Sequence, residues 1–294
     1  MPLINGAGNS WVTQTKQEDL RYVLGVHMRI TQSIFTKHGT ANWLLPIYQY
    51  IDLTAGPGDW AGVCDAKTGE PAEYQGQGSP CIFADVAAEV GMDYRALFIE
   101  KDETMTRRLI ELFAGNDHIE IKRGDHIEEL DAYLHAHPGR KRFGLVYYDP
   151  NGEPTGIECM AALNKHNSWK TVDVLLNLSA NCIKRVRGAC EGKRTLVEYL
   201  SSIGKKHWLV RGPHRSDRWQ WAFFIGTNWN DFPEFRSHGF YSVQTAEGKA
   251  ILKRLNFTGD ELNGTAVFQL PGLSTTPGIS AGPVTSVASL KRAM

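Results

Sequence analysis

Cysteine is scarce in this 294-residue sequence: Cys64, Cys81, Cys159, Cys182 and Cys190 are scattered, and no two form a Cys-x-x-Cys pair. That spacing offers no disulfide framework and no zinc knuckle, so reduced thiols and no bound metal are expected. Net charge is missing too, because Lys+Arg and Asp+Glu each number 32. No overall field selects a polyanion, and any such preference has to be local. No apolar run reaches the roughly 18 residues that cross a bilayer. Residues Met1–Trp11 lack a basic stretch followed by an apolar one, so no secretory signal is read there. A cytoplasmic protein without a membrane partner is the expectation. Internal repeats are also missing.

What is present reads as alternating strands and helices. Leu20, Val23, Leu24, His27 and Ile30 recur at helical spacing and predict an amphipathic helix over about residues 17–35. An apolar segment from Asn42 leads into Ile51-Asp52-Leu53, and Ala55-Gly56-Pro57-Gly58 stops that strand. Ser79–Val90 reads as a helix with Pro80 in its first turn, and Glu103–Ala114 as another. Further strands are read at Ala96–Ile99, Ile119–Lys122, Gly144–Tyr148, Val172–Leu178 and Ala222–Gly226. The alternation predicts a Rossmann-like α/β fold with a mainly parallel central sheet and helices on both faces. The nearly continuous run Val172-Asp173-Val174-Leu175-Leu176 suits a strand covered on both sides. The expected organisation is a helical extension over 1–45, the α/β domain over 46–270 and a flexible Pro/Gly/Ser/Thr-rich tail over 271–294.

In such sheets ligands bind beyond the carboxyl ends of the strands. Four successive strand ends carry suitable residues. Asp52-Leu53-Thr54-Ala55-Gly56-Pro57-Gly58 offers glycines that let backbone approach a ligand, and an acid that orients the loop or accepts from an ammonium group. Glu100 ends the next strand, where a carboxylate can grip two ribose hydroxyls. Asp125 follows the third and can accept from an adenine amino group or hold its loop. Asp149-Pro150-Asn151-Gly152 follows the fourth and offers acceptors to an amino group. Singly, these are also a plain turn, two solvated carboxylates and a good β-turn. Their order at consecutive strand ends points to a cofactor site. Gly56-x-Gly58-x-x-Ala61 also matches the loose dinucleotide fingerprint, but that fingerprint wants its acid about 20 residues on. Here Glu100 lies 42 residues after Gly58, and proline within the turn suits a sulfonium amino acid better than a pyrophosphate. A nicotinamide dehydrogenase is the second reading.

With these residues the sequence resembles class I S-adenosylmethionine-dependent methyltransferases, and more narrowly the three-Cys-motif partner protein family. The stretches that carry the resemblance are Tyr50–Gly58, Gly78-Ser79-Pro80, Leu97-Phe98-Ile99-Glu100 and Tyr148–Gly152, over roughly residues 16–180. Thr54 stands where that family has Phe. The resemblance implies that Asp52, Ala55, Gly56 and Gly58 contact the methionine part of S-adenosylmethionine, Glu100 the ribose and Asp125 the adenine. Asp149, Pro150 and Asn151 would face the transferred methyl group as the catalytic residues.

Methyltransferases of exocyclic base amines carry Asp/Asn-Pro-Pro-aromatic at this place, the aromatic ring stacking on a flipped base. Here the acceptors are kept and the fourth-position ring is missing; Tyr147, Tyr148, Trp169 or Trp229 could replace it. Between Cys182 and Arg218 ten basic residues face three acidic ones, with Trp208, Trp219 and Trp221 interleaved. That composition suits a nucleic-acid surface, with Lys184, Arg185, Arg187 and Arg194 as its contacts, and equally a solvated face above core tryptophans. Three functions stay open: methylation of an adenine amino group in DNA or RNA, methylation of a protein or small molecule, and a cofactor-binding module without chemistry that works beside a protein partner.

Overall fold

The computed structural model describes residues 3–4, 12–65, 69–71, 74–150, 154–179, 196–212, 221–229 and 239–256. Elements run in the order β1 (Leu3–Ile4), α1 (Val12–His38), β2 (Tyr48–Asp52), β3 (Cys64–Asp65), α2 (Ser79–Val90), β4 (Tyr94–Glu100), α3 (Glu103–Leu112), β5 (Ile119–Arg123) and α4 (His126–Ala136). They continue with β6 (Gly144–Tyr148), a 3-10 turn (Ile157–Ala161), α5 (Ala162–Lys165), β7 (Val172–Ser179), α6 (Leu196–Ile203), β8 (His207–Arg211), β9 (Trp221–Thr227), β10 (Phe240–Ser242) and α7 (Ala246–Asn256).

The short β1 and β3 pair with each other, and the other strands form one eight-stranded sheet in the order β10-β8-β9-β7-β6-β2-β4-β5. Strands β7, β6, β2, β4 and β5 are mutually parallel. Strands β9, β8 and β10 extend the β7 side with antiparallel pairings. The fold is therefore Rossmann-like α/β, mainly parallel. From β2 the chain steps outward through β4 and β5, then returns to the other side of β2 as β6. The gap between the carboxyl ends of β2 and β6 is thus a topological switch point, where such sheets bind ligands.

Strand periodicity splits the core into two layers. Tyr48, Tyr50, Phe98, Leu145, Tyr147 and Leu175 face α1, α2 and α3, through Leu20, Leu24, Phe83, Val86 and Leu109. Ile51, Leu97, Val146, Val174 and Leu176 face the opposite way, toward α4, α5, α6 and α7, through Leu130, Leu134, Leu163, Leu200 and Leu255. In the first layer the Tyr50 and Phe83 rings stack at 4.0 Å between centroids. Truncating a buried ring such as Phe83 costs about 3–5 kcal/mol, and Phe83 is what presses the start of α2 against the end of β2.

The expected strands and helices all form, several with longer ends: α1 extends beyond residues 17–35 in both directions and β4 begins at Tyr94, whereas α3 stops at Leu112, short of the expected Ala114. Within the antiparallel edge β9 is the strand expected at Ala222–Gly226, while β8, β10, α4, α6 and α7 are additions to the reading of the sequence. Among the described residues no helix is long and apolar enough to cross a membrane.

Candidate functional site

The Gly56–Gly58 turn is built from backbone that only glycine adopts easily. Gly56 and Gly58 have φ of +62° and +75°. A Cβ on Gly58 would lie 2.8 Å from Leu109 Cδ2, so the turn also sits tightly on α3. The Gly58 carbonyl accepts from the amide of Gly78 at 2.8 Å. This bond gives the Gly78-Ser79-Pro80 segment its role: it fastens the head of α2 to the turn.

Glu100, the last residue of β4, receives the Gly56 amide on Oε2 and the Asp102 amide on Oε1, both at 2.8 Å. Each carboxylate oxygen keeps a further lone pair. Burial raises the Glu100 pKa, and the amides of Asp102, Gly56 and Lys101 oppose that shift by favouring the charged form. Asp125 caps α4, accepting from the Ile127 amide at 2.9 Å. Its second oxygen lies 3.8 Å from Lys101 Nζ.

Asp149 follows β6. Its amide donates to Thr54 Oγ1 at 2.9 Å, a bond that bridges the switch point. Oδ1 accepts from Asn177 Nδ2 of β7 at 2.8 Å. Oδ2 pairs with Lys16 Nζ of α1 at 2.6 Å and accepts from the Tyr147 hydroxyl at 3.3 Å. A cavity of about 490 Å³ opens over these groups. Its lining includes Thr54, Ala55, Gly56, Trp60, Glu100, Asp125, Asp149 and Pro150, closed on one side by Thr13, Lys16 and Gln17 of α1.

Ala55, Gly56, Glu100, Asp125, Asp149 and Pro150 are thus brought together around one cavity. Asp52 and Gly58 lie behind its lining. Asp52 is fully buried and accepts from the Thr54 amide at 3.1 Å and the Tyr50 hydroxyl at 3.4 Å, so it shapes the loop from beneath. Burial pushes its carboxyl up to about 7, against opposing hydrogen bonds from Ser79 and Thr54. Asn151 and Gly152 lie outside the described residues, as do Lys184, Arg185, Arg187, Arg194 and Trp219.

The rest of the basic segment differs from the surface expected of it. Trp208 and Trp221 are buried in the core, which removes them as stacking platforms for bases. Lys205 is buried with its ammonium on the Val172 carbonyl at 2.7 Å, and desolvation lowers its pKa to about 8. Arg211 pairs with Asp19 of α1. Composition shows the charge and the rings but not which strand face they occupy. Of the rings that could replace the missing aromatic, Trp169 is wholly buried and Trp229 borders a cleft lined by Phe143 and Asp173. Tyr148 remains beside the cavity, its hydroxyl donating to the Thr155 carbonyl at 2.9 Å.

Thr13, Lys16, Gln17 and Trp60 carry no motif and are among the lining residues missing from the reading of the sequence. Gln17 Oε1 is buried without a hydrogen-bond donor, and so is Asn177 Oδ1 beside Asp149. A buried acceptor left unpaired costs about 1–3 kcal/mol. Neither oxygen is exposed to the cavity and Asn177 lies outside its lining, so the demand for N–H donors at this end rests on Asp149 itself. The carboxylates Glu100 and Asp125 suit hydroxyl and amino donors further along. The donor demand of a nucleoside amino acid such as S-adenosylmethionine fits this set: an ammonium group, ribose hydroxyls and an adenine amine.

No family model matches the sequence, and no curated protein matches it. Among solved structures the chain is similar to protein LPL1258 from Legionella pneumophila, of the family-model DUF519, at a TM-score of 0.45 and 14% identity, over 80% of this chain and 91% of that one. It is similar to a methyltransferase from Geobacter sulfurreducens at 0.38 and 13%, over 70% and 76%. It is also similar to Aeropyrum pernix fibrillarin in complex with natively bound S-adenosyl-L-methionine, at 0.38 and 13%, over 62% and 69%. Likeness at these scores carries no argument about chemistry, which has to come from the residues themselves.

Proposed function

We propose that this protein is an S-adenosylmethionine-dependent methyltransferase whose acceptor is an exocyclic amino group of nucleic acid, an adenine amine of DNA or RNA. The observation that carries the proposal is the setting of Asp149. A carboxylate is fixed at the switch point by Thr54 and Asn177, already holds a nitrogen cation on Oδ2, and opens into the same cavity as Glu100 and Asp125.

Glu100 and Asp125 would hold the ribose and adenine, while Ala55 and Gly56 would surround the amino-acid end. The cofactor supplies an electrophilic methyl group. The protein's part is positioning and exclusion of water, which together can lower such a barrier by several kcal/mol. Asp149 accepts an N–H of the acceptor amine and so aims its lone pair, with Pro150 beside it and Asn151 completing the turn. Lys16 pairs with Oδ2, so an incoming amine would take the place of an ammonium in a site shaped for nitrogen. The nucleic-acid part of the proposal is supported by Lys184, Arg185, Arg187 and Arg194, which follow β7 directly, five to fifteen positions past Ser179 in the sequence.

Labelled-methyl transfer to DNA, RNA and protein pools tests this. Label is expected in nucleic acid as methylated adenine, falling steeply with salt as phosphate contacts are screened. Replacing Arg185, Arg187 and Arg194 together by Ala should raise KM for the nucleic acid while cofactor affinity stays. Label in protein alone would overturn the acceptor. Cofactor binding with no labelled product in any pool would overturn the enzymatic reading.

A further inference from the structure

At the far end of α4 from Asp125, a second set of residues has no part in the cavity. Asp131 and His135 stand one turn apart on α4, and His166 follows α5 directly. Their ligand-capable atoms all lie within 4.8 Å of one another. His135 Nδ1 is 3.5 Å from Asp131 Oδ2, and the two imidazoles meet edge to face at 4.7 Å between centroids. We propose that Asp131, His135 and His166 form a surface site for a borderline divalent cation of the zinc type.

Two imidazoles and one carboxylate are the donor set that zinc-like ions favour, whereas calcium and magnesium prefer all-oxygen shells. Three protein ligands leave a fourth position for water. Bond lengths of about 2.0–2.2 Å in tetrahedral geometry hold neighbouring ligand atoms roughly 3.3 Å apart, so the widest pair in the cluster has to tighten by about 1.5 Å. Asp131 and His135 can do this by rotating, since their side chains are 62% and 64% exposed. The Asp131 carbonyl lies 2.9 Å from His135 Nδ1. Binding through Nδ1, the nitrogen 3.5 Å from Asp131 Oδ2, would exchange this contact for the metal. Position adds to chemistry: the cluster sits at the carboxyl end of α4, where a helix favours positive charge. An ion bound there would staple the last turn of α4 to the segment that enters β7. The same helix carries Asp125 at its other end, six residues before Asp131 and ten before His135, so the staple would steady one wall of the cavity from about 9–15 Å away at 1.5 Å per residue.

The test is calorimetric titration of the chelator-stripped full chain with zinc chloride, paired with thermal melting. Wild type is expected to bind one equivalent and to melt at higher temperature with zinc. His135→Ala, His166→Ala and the shape-preserving Asp131→Asn should each weaken binding at least tenfold and abolish the melting shift. His38→Ala, on α1, should leave both intact. The proposal is overturned if wild type shows no saturable one-to-one binding, or if zinc binds all three cluster variants as tightly as wild type, which would place the ion elsewhere.

Discussion

Helix α1 touches one carboxylate toward each end of the parallel strands, a partly buried one at Asp149 and a buried one at Asp173, and the two have opposite surroundings. Near its start, Lys16 meets Asp149 beyond the carboxyl end of β6. Eleven residues on, about 16 Å along the helix, His27 meets Asp173 near the amino end of β7, at 3.1 Å. In register, Asp173 lies opposite Leu145, four positions before Asp149 on the neighbouring strand. His27 passes its other ring nitrogen to the Tyr48 hydroxyl at 2.8 Å, which closes a chain of side chains inside the protein. The cleft beside Asp173 is lined mainly by apolar groups such as Ile30, Ile34, Phe143 and Trp229. Asp149 instead opens into a polar cavity among carboxylates and glycine backbone. The difference follows from topology. At their amino ends β6 and β7 lie under one helix face, whereas beyond their carboxyl ends the chain reverses around β2 and leaves a gap. One carboxylate therefore fastens a helix, and the other is available for chemistry.

The comparison is broken or sharpened by substituting each acid. Asp149→Ala is expected to give the largest effect, lowering the methyl-transfer rate by about 100-fold or more, the scale of losing acceptor positioning, with cofactor affinity retained. An equal loss of affinity and rate would make Asp149 a cofactor ligand instead. Asp173→Asn should do the reverse, costing about 1–3 kcal/mol of stability through the weakened buried hydrogen bond, read by urea denaturation, with turnover unchanged. A rate defect there would mean that the two ends are coupled through α1.

The smallest effect separates the acid beneath the cavity from those lining it. Asp52 has a folded pKa of about 7 against about 3.9 in an unfolded chain. Its protonated form is thus favoured by folding, so its contribution to stability is complete below about pH 3.9 and is lost as pH rises to about 7. Relative to Asp52→Asn, wild type should lose on the order of 1 kcal/mol per pH unit across that window. A flat difference between pH 4 and 7 would show that Asp52 stays charged in the fold.

Much of this site was legible because its signals are local. A glycine turn after Ile51-Asp52-Leu53, an acid ending Leu97-Phe98-Ile99, and Asp149-Pro150 after an apolar run each announce a strand end within a few residues. Their convergence follows from the parallel alternation alone. Lys16 and Gln17 were illegible for the opposite reason. They are two polar residues among many on α1, and only docking of that helix over the switch point brings them to Asp149. Two strands of the antiparallel edge were hidden as well, because β8 is the short segment His207–Arg211 within a charged stretch and β10 is three residues long. Trp208 and Trp221 follow the second of their two readings, core tryptophans, a choice that a basic composition alone could not make.

The most direct test is calorimetric titration with S-adenosylmethionine and, separately, with NAD, using wild type, Asp52→Ala and Glu100→Ala. One-to-one binding of S-adenosylmethionine is expected, more than tenfold weaker in Glu100→Ala, weakened through the loop in Asp52→Ala, and with no heat from NAD. Absence of S-adenosylmethionine binding to wild type, or NAD binding that the same substitutions remove, would contradict the account.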